Sequence, residues 1–422
     1  MKKGTWATLS VVVGTAVLLL SACGPGDDNS SATQTASSTG TKTLLVWEDV
    51  KKSEGIQDAV QAFEKQHNVK VKVVEKAYAD QLEALRLDGA AGTGPDVITM
   101  PHDQIGSAVT EGLLQEIKPD QKVTDSFTDE SIQSQTVNGK LYGLPKSVET
   151  TVLFYNKDRV KKAPTTLDGW YDLSKKLTKD GQYGFVAKWD EIYYAQSVLG
   201  GSGGYIFNQK GDGSYDVNDI GLNNKGAIEG GEYIQTFFSE GLFPKGIIGE
   251  QGINVLNSLF TEKKAAAVIS GPWSFGPYQE AGIDYGVTEL PTLPNGKHMS
   301  SFLGVKSYNV SSYSQNKELA EIFIEFLTNE ANSKKRFDVT EEIPPVKKLM
   351  KDPMITENAK ANAVSKQTKY ATLTPNNPEM AEVWKPIDSA LRLIATGRTD
   401  VKQAFDDAVK QIDSQIKANH SK

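Results

Sequence analysis

From Thr43 onward the apolar and polar positions of the chain mark strands and helices in turn. Thr43-Leu44-Leu45-Val46-Trp47 reads as a strand, and Val69-Lys70-Val71-Lys72-Val73 alternates at the two-residue period of another. Between them Ile56, Ala59, Val60 and Phe63 recur at helical spacing behind Ser53, a residue suited to capping a helix. Leu82, Leu85 and Leu87 predict a second helix, which leads to Gly92-Thr93-Gly94-Pro95 and a strand at Asp96-Val97-Ile98-Thr99-Met100. Ile105, Ala108, Val109 and Leu113 predict a third helix closing near Gly112. Strand and helix alternating in this way imply a parallel sheet with crossover helices.

The pattern resumes with a strand at Thr151-Val152-Leu153-Phe154-Tyr155, and a domain crossing is expected just before it. Tyr205-Ile206-Phe207 and Ser214-Tyr215-Asp216-Val217 read as a hairpin around Gly211-Asp212-Gly213. Helical periodicity appears in Ile228 to Phe238, in Leu319 to Leu327, and in Val401, Phe405, Ala408, Ile412 and Ile416. Ala265-Ala266-Ala267-Val268-Ile269 is an unbroken apolar run, the mark of a buried strand. Gly271-Pro272 stops it, since proline lacks the N–H that a sheet requires. Trp273 stands directly beyond that stop. Ligands in α/β proteins bind beyond strand ends, so Trp273 is either a ligand platform or a lid on the core.

Composition changes this picture mainly at the N-terminus. At 422 residues the chain is long enough for two domains or more, and 38% hydrophobic against 23% charged residues is ordinary for globular matter. Met1-Lys2-Lys3, an apolar stretch through Leu20 and then Ser21-Ala22-Cys23-Gly24 resemble a bacterial lipoprotein signal, with residues 1–22 removed and Cys23 lipidated. Cys23 is the only cysteine, so no internal disulfide is expected. Residues 23–42 are Gly, Ser, Thr, Asp, Asn and Gln with almost nothing apolar, and are expected to be a flexible tether. Losing Lys2 and Lys3 takes the formal charge from −7 to −9, which argues against nucleic acid as a partner.

Catalytic and metal motifs are lacking. His67, His102, His298 and His420 have no metal-ligand spacing, and there is no Gly-x-Ser-x-Gly elbow. Gly200-Gly201-Ser202-Gly203-Gly204 lacks the lysine of a P-loop, and Asp212, Asp216 and Asp219 do not match a calcium loop. No cofactor or metal is expected. Carboxylates beside aromatics do stand out: Asp103 past a strand end, Glu149 before the domain crossing, Trp189-Asp190-Glu191-Ile192-Tyr193-Tyr194, and Trp384. Sugar hydroxyls suit carboxylates and sugar C–H faces suit aromatic rings. Two such acids would also serve as a glycosidase pair, so these residues leave both readings open.

Several ordered segments resemble the maltose/maltodextrin-binding family of extracellular solute-binding lipoproteins of sugar ABC transporters. They include Gly94-Pro95-Asp96-Val97-Ile98, Pro101-His102-Asp103, Asn138-Gly139-Lys140-Leu141, Val148-Glu149 and Tyr155-Asn156-Lys157-Asp158. Gly203-Gly204-Tyr205, Ser270-Gly271-Pro272-Trp273, Asn316-Lys317-Glu318-Leu319-Ala320 and Pro375-Asn376-Asn377-Pro378-Glu379-Met380 continue the series, which spans about Thr43 to Lys417. The resemblance implies an α/β, two-lobed periplasmic-binding-protein-like fold, hinged, with the ligand in the cleft between lobes. It places one lobe at 43–148 plus 302–350 and the other at 152–298 plus 356–418. It implies a non-enzymatic monomer that captures maltose or maltodextrin and delivers it to a membrane permease, with ATP hydrolysis in separate subunits. A different oligosaccharide, such as a galactoside, and a surface-anchored glycosidase are the alternatives.

Position by position, the resemblance assigns Asp103, Glu149 and Glu191 to sugar hydroxyls, and Tyr193, Trp273 and Trp384 to stacking on the rings. Lys51 or Lys52 falls near a sugar-binding lysine, in a loop one residue shorter than the family's. Three positions depart from the pattern: Met100 replaces a tryptophan, and Gln104 and Asp388 each replace an arginine. Met100 is expected on the cleft wall as a flexible substitute, with Gln104 beside it and Asp388 at the far end.

Overall fold

The first sheet is organised around β3 (Val97–Pro101), whose Val97, Ile98, Thr99 and Met100 have no exposed surface. The structure is a computed structural model that describes residues 41–211 and 213–420. The expected signal at 1–22, Cys23 and the tether before Thr41 lie outside the described residues. β1 (Thr43–Glu48) pairs in parallel with β2 (Lys70–Glu75) and with β3, as the alternation of strand and helix implies. The sheet is not parallel throughout. β4 (Gly143–Glu149) and the long β9 (Phe302–Val310) run antiparallel to each other, and β9 runs antiparallel to β3. β9 re-enters this sheet from the other half of the chain, so no local crossover helix dictates its direction.

Helices α1 (Gln57–His67), α2 (Tyr78–Ala90) and α3 (Ile105–Thr110) connect these strands. α3 stops earlier than its periodicity suggests, with Gly112 at φ 72° and Leu113 and Leu114 buried beyond it. Phe63 of α1 meets Phe323 of a later helix, Lys317–Thr328, edge-on at 4.8 Å, closing the core on one face of the sheet.

The second sheet has the order β8-β5-β7-β6, where β5 is Val152–Asn156, β6 is Tyr183–Val186, β7 is Ala265–Ser270 and β8 is Tyr285–Thr288. β7 is the apolar run identified in the sequence. It lies between two strands and is buried along its whole length. Phe185 of β6 packs against Trp170, Trp189, Phe237 and Phe243. The expected hairpin forms further along than its pattern suggests, between Asn208–Gln209 and Tyr215–Asp216, while Ile206 and Phe207 are drawn into the core.

The chain passes between the two sheets at Thr150-Thr151, again at Ser300-Ser301, and a third time after Thr340. The crossings are tied together. Thr150 Oγ1 lies 2.6 Å from Ser301 Oγ and donates to the Phe302 carbonyl at 2.8 Å. Gln367 Nε2 donates to Ser301 Oγ and to the Met299 carbonyl, and Val148 N–H donates to the Ile343 carbonyl. β10 (Thr372–Leu373) pairs with the start of β9, so this piece of the expected second lobe leans on the hinge. Two α/β lobes joined by these adjacent segments leave a cleft over the hinge.

A buried ion pair fixes the first lobe near the same place. Lys146 Nζ lies 2.6 Å from Glu48 with neither side chain exposed, and Tyr308 Oη donates to Glu48 at 2.8 Å. Glu342, on the third crossing, approaches Lys146 at 3.3 Å.

Candidate functional site

Alternation along β9 sets the floor of the site. Phe302, Gly304, Lys306 and Tyr308 share one face, because strand side chains point to opposite faces in turn. Gly304 is paired with Glu149 at the end of β4, and a Cβ on it would come within 3.0 Å of Glu149 Cγ. The glycine therefore gives the Glu149 side chain room to lie across β9. Its carboxylate reaches Lys306 Nζ at 2.8 Å, and that ammonium lies 5.0 Å from the Tyr78 ring centre. Burial pulls the Lys306 pKa down, but Glu149, followed by Asp103 and Asp49, outweighs it and leaves the value raised.

Asp103 sits in the single turn His102–Gln104 that follows β3. His102 is fully buried, accepting from Val305 N–H at Nδ1 (3.1 Å) and lying 2.9 Å from the Thr374 carbonyl through Nε2. Burial lowers its pKa, consistent with a neutral ring that donates from Nε2. This histidine ties the Asp103 turn to β9 and to the chain beyond β10.

The second lobe supplies an aromatic wall. Helix α5 runs from Ile192 to Ser202 in the chain order used here, after α4 (Leu167–Leu177). Tyr193 in its first turn lies 6.2 Å from Trp273 and 6.3 Å from Phe302 between ring centres. Trp384 opens a later helix, Trp384–Ala395, and meets Phe302 at 6.1 Å. Phe302 thus backs both Tyr193 and Trp384 from the end of β9. The Tyr193 phenol is pushed well up, by burial first and then by charges that include Glu149 and Asp103, so the acids and the wall act on the same space. Trp273 is 42% exposed, so part of its ring reaches solvent beside Tyr193. Its indole folds back over Gly271, where any Cβ would overlap the ring. Gly271 is therefore the seat of the tryptophan as well as part of the strand stop.

Glu191 precedes α5 and is held by Lys188 at 2.9 Å, with Arg392 Nη2 at 3.7 Å. Lys188 is buried and also pairs with Asp190 at 2.6 Å, while Asp190 accepts from Gly249 N–H at 2.7 Å. Asp103, Glu149, Glu191, Tyr193, Trp273 and Trp384 all stand at strand ends, helix starts or turns around the hinge.

Other expected site residues are placed differently. Met100 is not on the cleft wall: it has no exposed surface and packs in the core with Trp47, Leu82, Leu85 and Ile98. The sheet is covered on both faces there, and an unbranched thioether fits the interior that remains. Asp388 is occupied rather than free, because its carboxylate accepts from Ile192 N–H. Gln104 is partly buried, and its side-chain oxygen has no hydrogen-bond partner among the described residues. Lys51 is exposed at φ 63°, and its neighbour Lys52 donates to the Thr340 carbonyl at 3.0 Å. Phe302, Lys306 and Tyr78 were not foreseen; the signal available for Lys306 was a lysine inside a long, mostly apolar strand.

Among the described residues no group of three His, Cys, Asp or Glu side chains is placed to hold a metal ion. No helix among them is long and apolar enough to cross a membrane.

A sequence profile described as bacterial extracellular solute-binding protein matches residues 58–363. The galactooligosaccharide-binding protein of Bacillus subtilis is 57% identical over 423 residues, covering 100% of both chains. The maltodextrin-binding protein of the same organism is 41% identical, covering 93% of this chain and 94% of its own. A solved structure of the maltose-binding protein of Listeria monocytogenes, in complex with maltose, superposes with a TM-score of 0.84. It is 39% identical, covering 90% of this chain and 99% of that one.

Proposed function

The chain belongs to the bacterial extracellular solute-binding proteins, and from that premise we propose that it captures a hexose oligosaccharide between its lobes for an ATP-driven importer. One observation carries the reading: the aromatic wall of Tyr193, Trp273 and Trp384 lies over the same hinge as the carboxylates Asp103, Glu149 and Glu191. Rings stack on the C–H face of a sugar, and carboxylates accept from its hydroxyls through charge-assisted hydrogen bonds. Lobe closure then follows from ligand contacts that only the closed state makes in full.

Galactooligosaccharide is the foremost ligand. The relative named for it is similar over the full length at 57% identity, and the first-lobe wall lacks the tryptophan and arginine suited to maltodextrin, with Met100 in the core. Maltodextrin is the second reading, favoured by the maltose held in the Listeria structure and by the 41% relative. Titration calorimetry against galactotriose, maltose and maltotriose tests both. Affinity in the micromolar range or tighter, about 8 kcal/mol or more, is expected for one of them. Absence of heat with all three would remove the oligosaccharide reading.

The protein acts without chemistry on its sugar. Glu149 and Glu191 are each engaged by a lysine, at 2.8 Å and 2.9 Å, rather than standing as a free pair of acids about a glycosidic bond. Oligosaccharide incubated with the protein is expected to keep its length on chromatography. Cys23 anchors a monomer to the outer face of the membrane, and Cys23→Ala is expected to release the protein into the medium.

A further inference from the structure

We propose that Lys306, acting with Glu149, is the residue pair that sets hexose preference by reading the axial 4-hydroxyl of a galactose unit. The proposal rests on the galactooligosaccharide reading above and names the residues that carry it.

The two sides of the cleft differ in chemistry. The second lobe contributes the rings of Tyr193, Trp273 and Trp384, with Phe302 behind them. On the first lobe's side, the position at which the family carries a tryptophan is Met100, which is buried. The groups gathered there are Glu149, Lys306, Asp103 and Asp49. The second lobe's side is therefore mainly aromatic, with Glu191 held by Lys188 and Arg392 beside Tyr193, while the first lobe's side is charged.

Such a cleft discriminates between hexoses that differ in where a hydroxyl points. The 2-, 3- and 4-hydroxyls of glucose are equatorial and lie near the ring plane, so none of them rises from a face when the ring stacks. The 4-hydroxyl of galactose is axial and rises from one face, leaving the C–H groups of the opposite face clear for stacking. With that clear face on the aromatic wall, the axial hydroxyl points across the cleft at the charged side.

Lys306 and Glu149 are equipped to hold it. An ammonium has three N–H donors, and Lys306 uses one on Glu149 at 2.8 Å; 17% of its side chain remains exposed. A hydroxyl accepts from an ammonium and donates to a carboxylate at once, and both of these bonds are charge-assisted. The pair is rigid as well: β9 supplies Lys306, Gly304 makes room for Glu149, and the Tyr78 ring flanks the ammonium. A site built to bond a given hydroxyl discriminates strongly against a ligand that lacks it, because its polar groups are then left unpaired.

The test is titration calorimetry with galactotriose and maltotriose on the full-length protein, Lys306→Met, the double variant Lys306→Met/Glu149→Gln, and Trp273→Ala. Wild type is expected to prefer galactotriose. Lys306→Met should weaken galactotriose at least tenfold while maltotriose changes less than threefold, and the double variant, which also removes the Glu149 charge that Lys306 balances, should lose the preference likewise. Trp273→Ala should weaken both sugars by similar factors, as loss of a stacking surface does. If wild type prefers galactotriose and both Lys306 variants keep that preference, Lys306 is not the reader and the galactooligosaccharide reading survives. If wild type prefers maltotriose or binds neither sugar, that reading fails and this inference with it. Equal losses for both sugars in the folded double variant would mean that the pair serves sugar binding in general and does not read the axial hydroxyl.

Discussion

Asp388 accepts a hydrogen bond from the Ile192 N–H at 2.7 Å, so the helix that carries Tyr193 is capped by a side chain from another helix. The cap has a cost that depends on pH. Burial raises the Asp388 pKa from 3.8 to about 6, Glu191 and Asp190 add to the rise, and Ile192 N–H and Arg392 oppose it. The folded protein therefore holds this proton more tightly than the unfolded chain. Between about pH 4 and pH 6 stability falls as the pH rises, and the penalty is complete above pH 6. Asp388→Asn keeps an acceptor for Ile192 without the charge. Thermal unfolding at pH 4, 5, 6 and 7 should show its melting temperature gaining on wild type as pH increases. A difference that does not vary with pH would contradict this account.

Gly271→Ala should behave as a binding variant although Gly271 itself presents no side chain. A methyl group there overlaps the Trp273 indole and pushes it off its seat. The expected loss is about 1 kcal/mol of sugar affinity, close to that of Trp273→Ala. Trp273 is half in solvent, so neither variant should lower the melting temperature by more than a few degrees. Unfolding with unchanged affinity would return Trp273 to the core.

Lys146→Met should be the most destabilising of these substitutions. It leaves Glu48 without a counter-charge, still bonded by the Tyr308 hydroxyl, at a site where neither side chain reaches water, a change that costs about 3–5 kcal/mol. Adding Glu48→Gln removes that charge and should restore part of the loss, since Glu342 still lacks its lysine. Urea unfolding of the single and double variants reads both effects.

Gly106→Ala addresses the segment that leads to Trp384. Any Cβ on Gly106 overlaps the Asn376 carbonyl, and Asn376 Nδ2 in turn donates to the Ser134 and Thr136 carbonyls. Overpacking of about 1–3 kcal/mol is expected. Sugar affinity should fall as well, since the short 3-10 helix Pro378–Glu382 carries any shift of Asn376 forward to Trp384.

The parts of this site that were legible in the sequence depend on local pattern. The run Ala265–Ile269 and its Gly-Pro stop declare themselves over a few residues, and the structure has a buried strand that ends there, with Trp273 in the turn beyond it. The acids beside aromatics stand at chain turns that periodicity also marks. β9 was missed because its two faces acquire meaning only through partners far away in the chain: Glu149, His102 and Trp384. Met100 was misplaced for a related reason. Its position in the family pattern speaks of a cleft wall, but whether a side chain there turns inward depends on the space left by Trp47, Leu82 and Leu85.

The run of alternate side chains on β9 makes that strand a ruler. Phe302 and Lys306 are four residues apart, and the rise of an extended strand sets their separation at about 13 Å. Changes in the surrounding loops can widen the mouth of the cleft but cannot alter that interval. Whatever this strand contributes to a change of ligand comes from exchanging the marks on it, at Phe302, Gly304 and Lys306, while the distance between them stays the same.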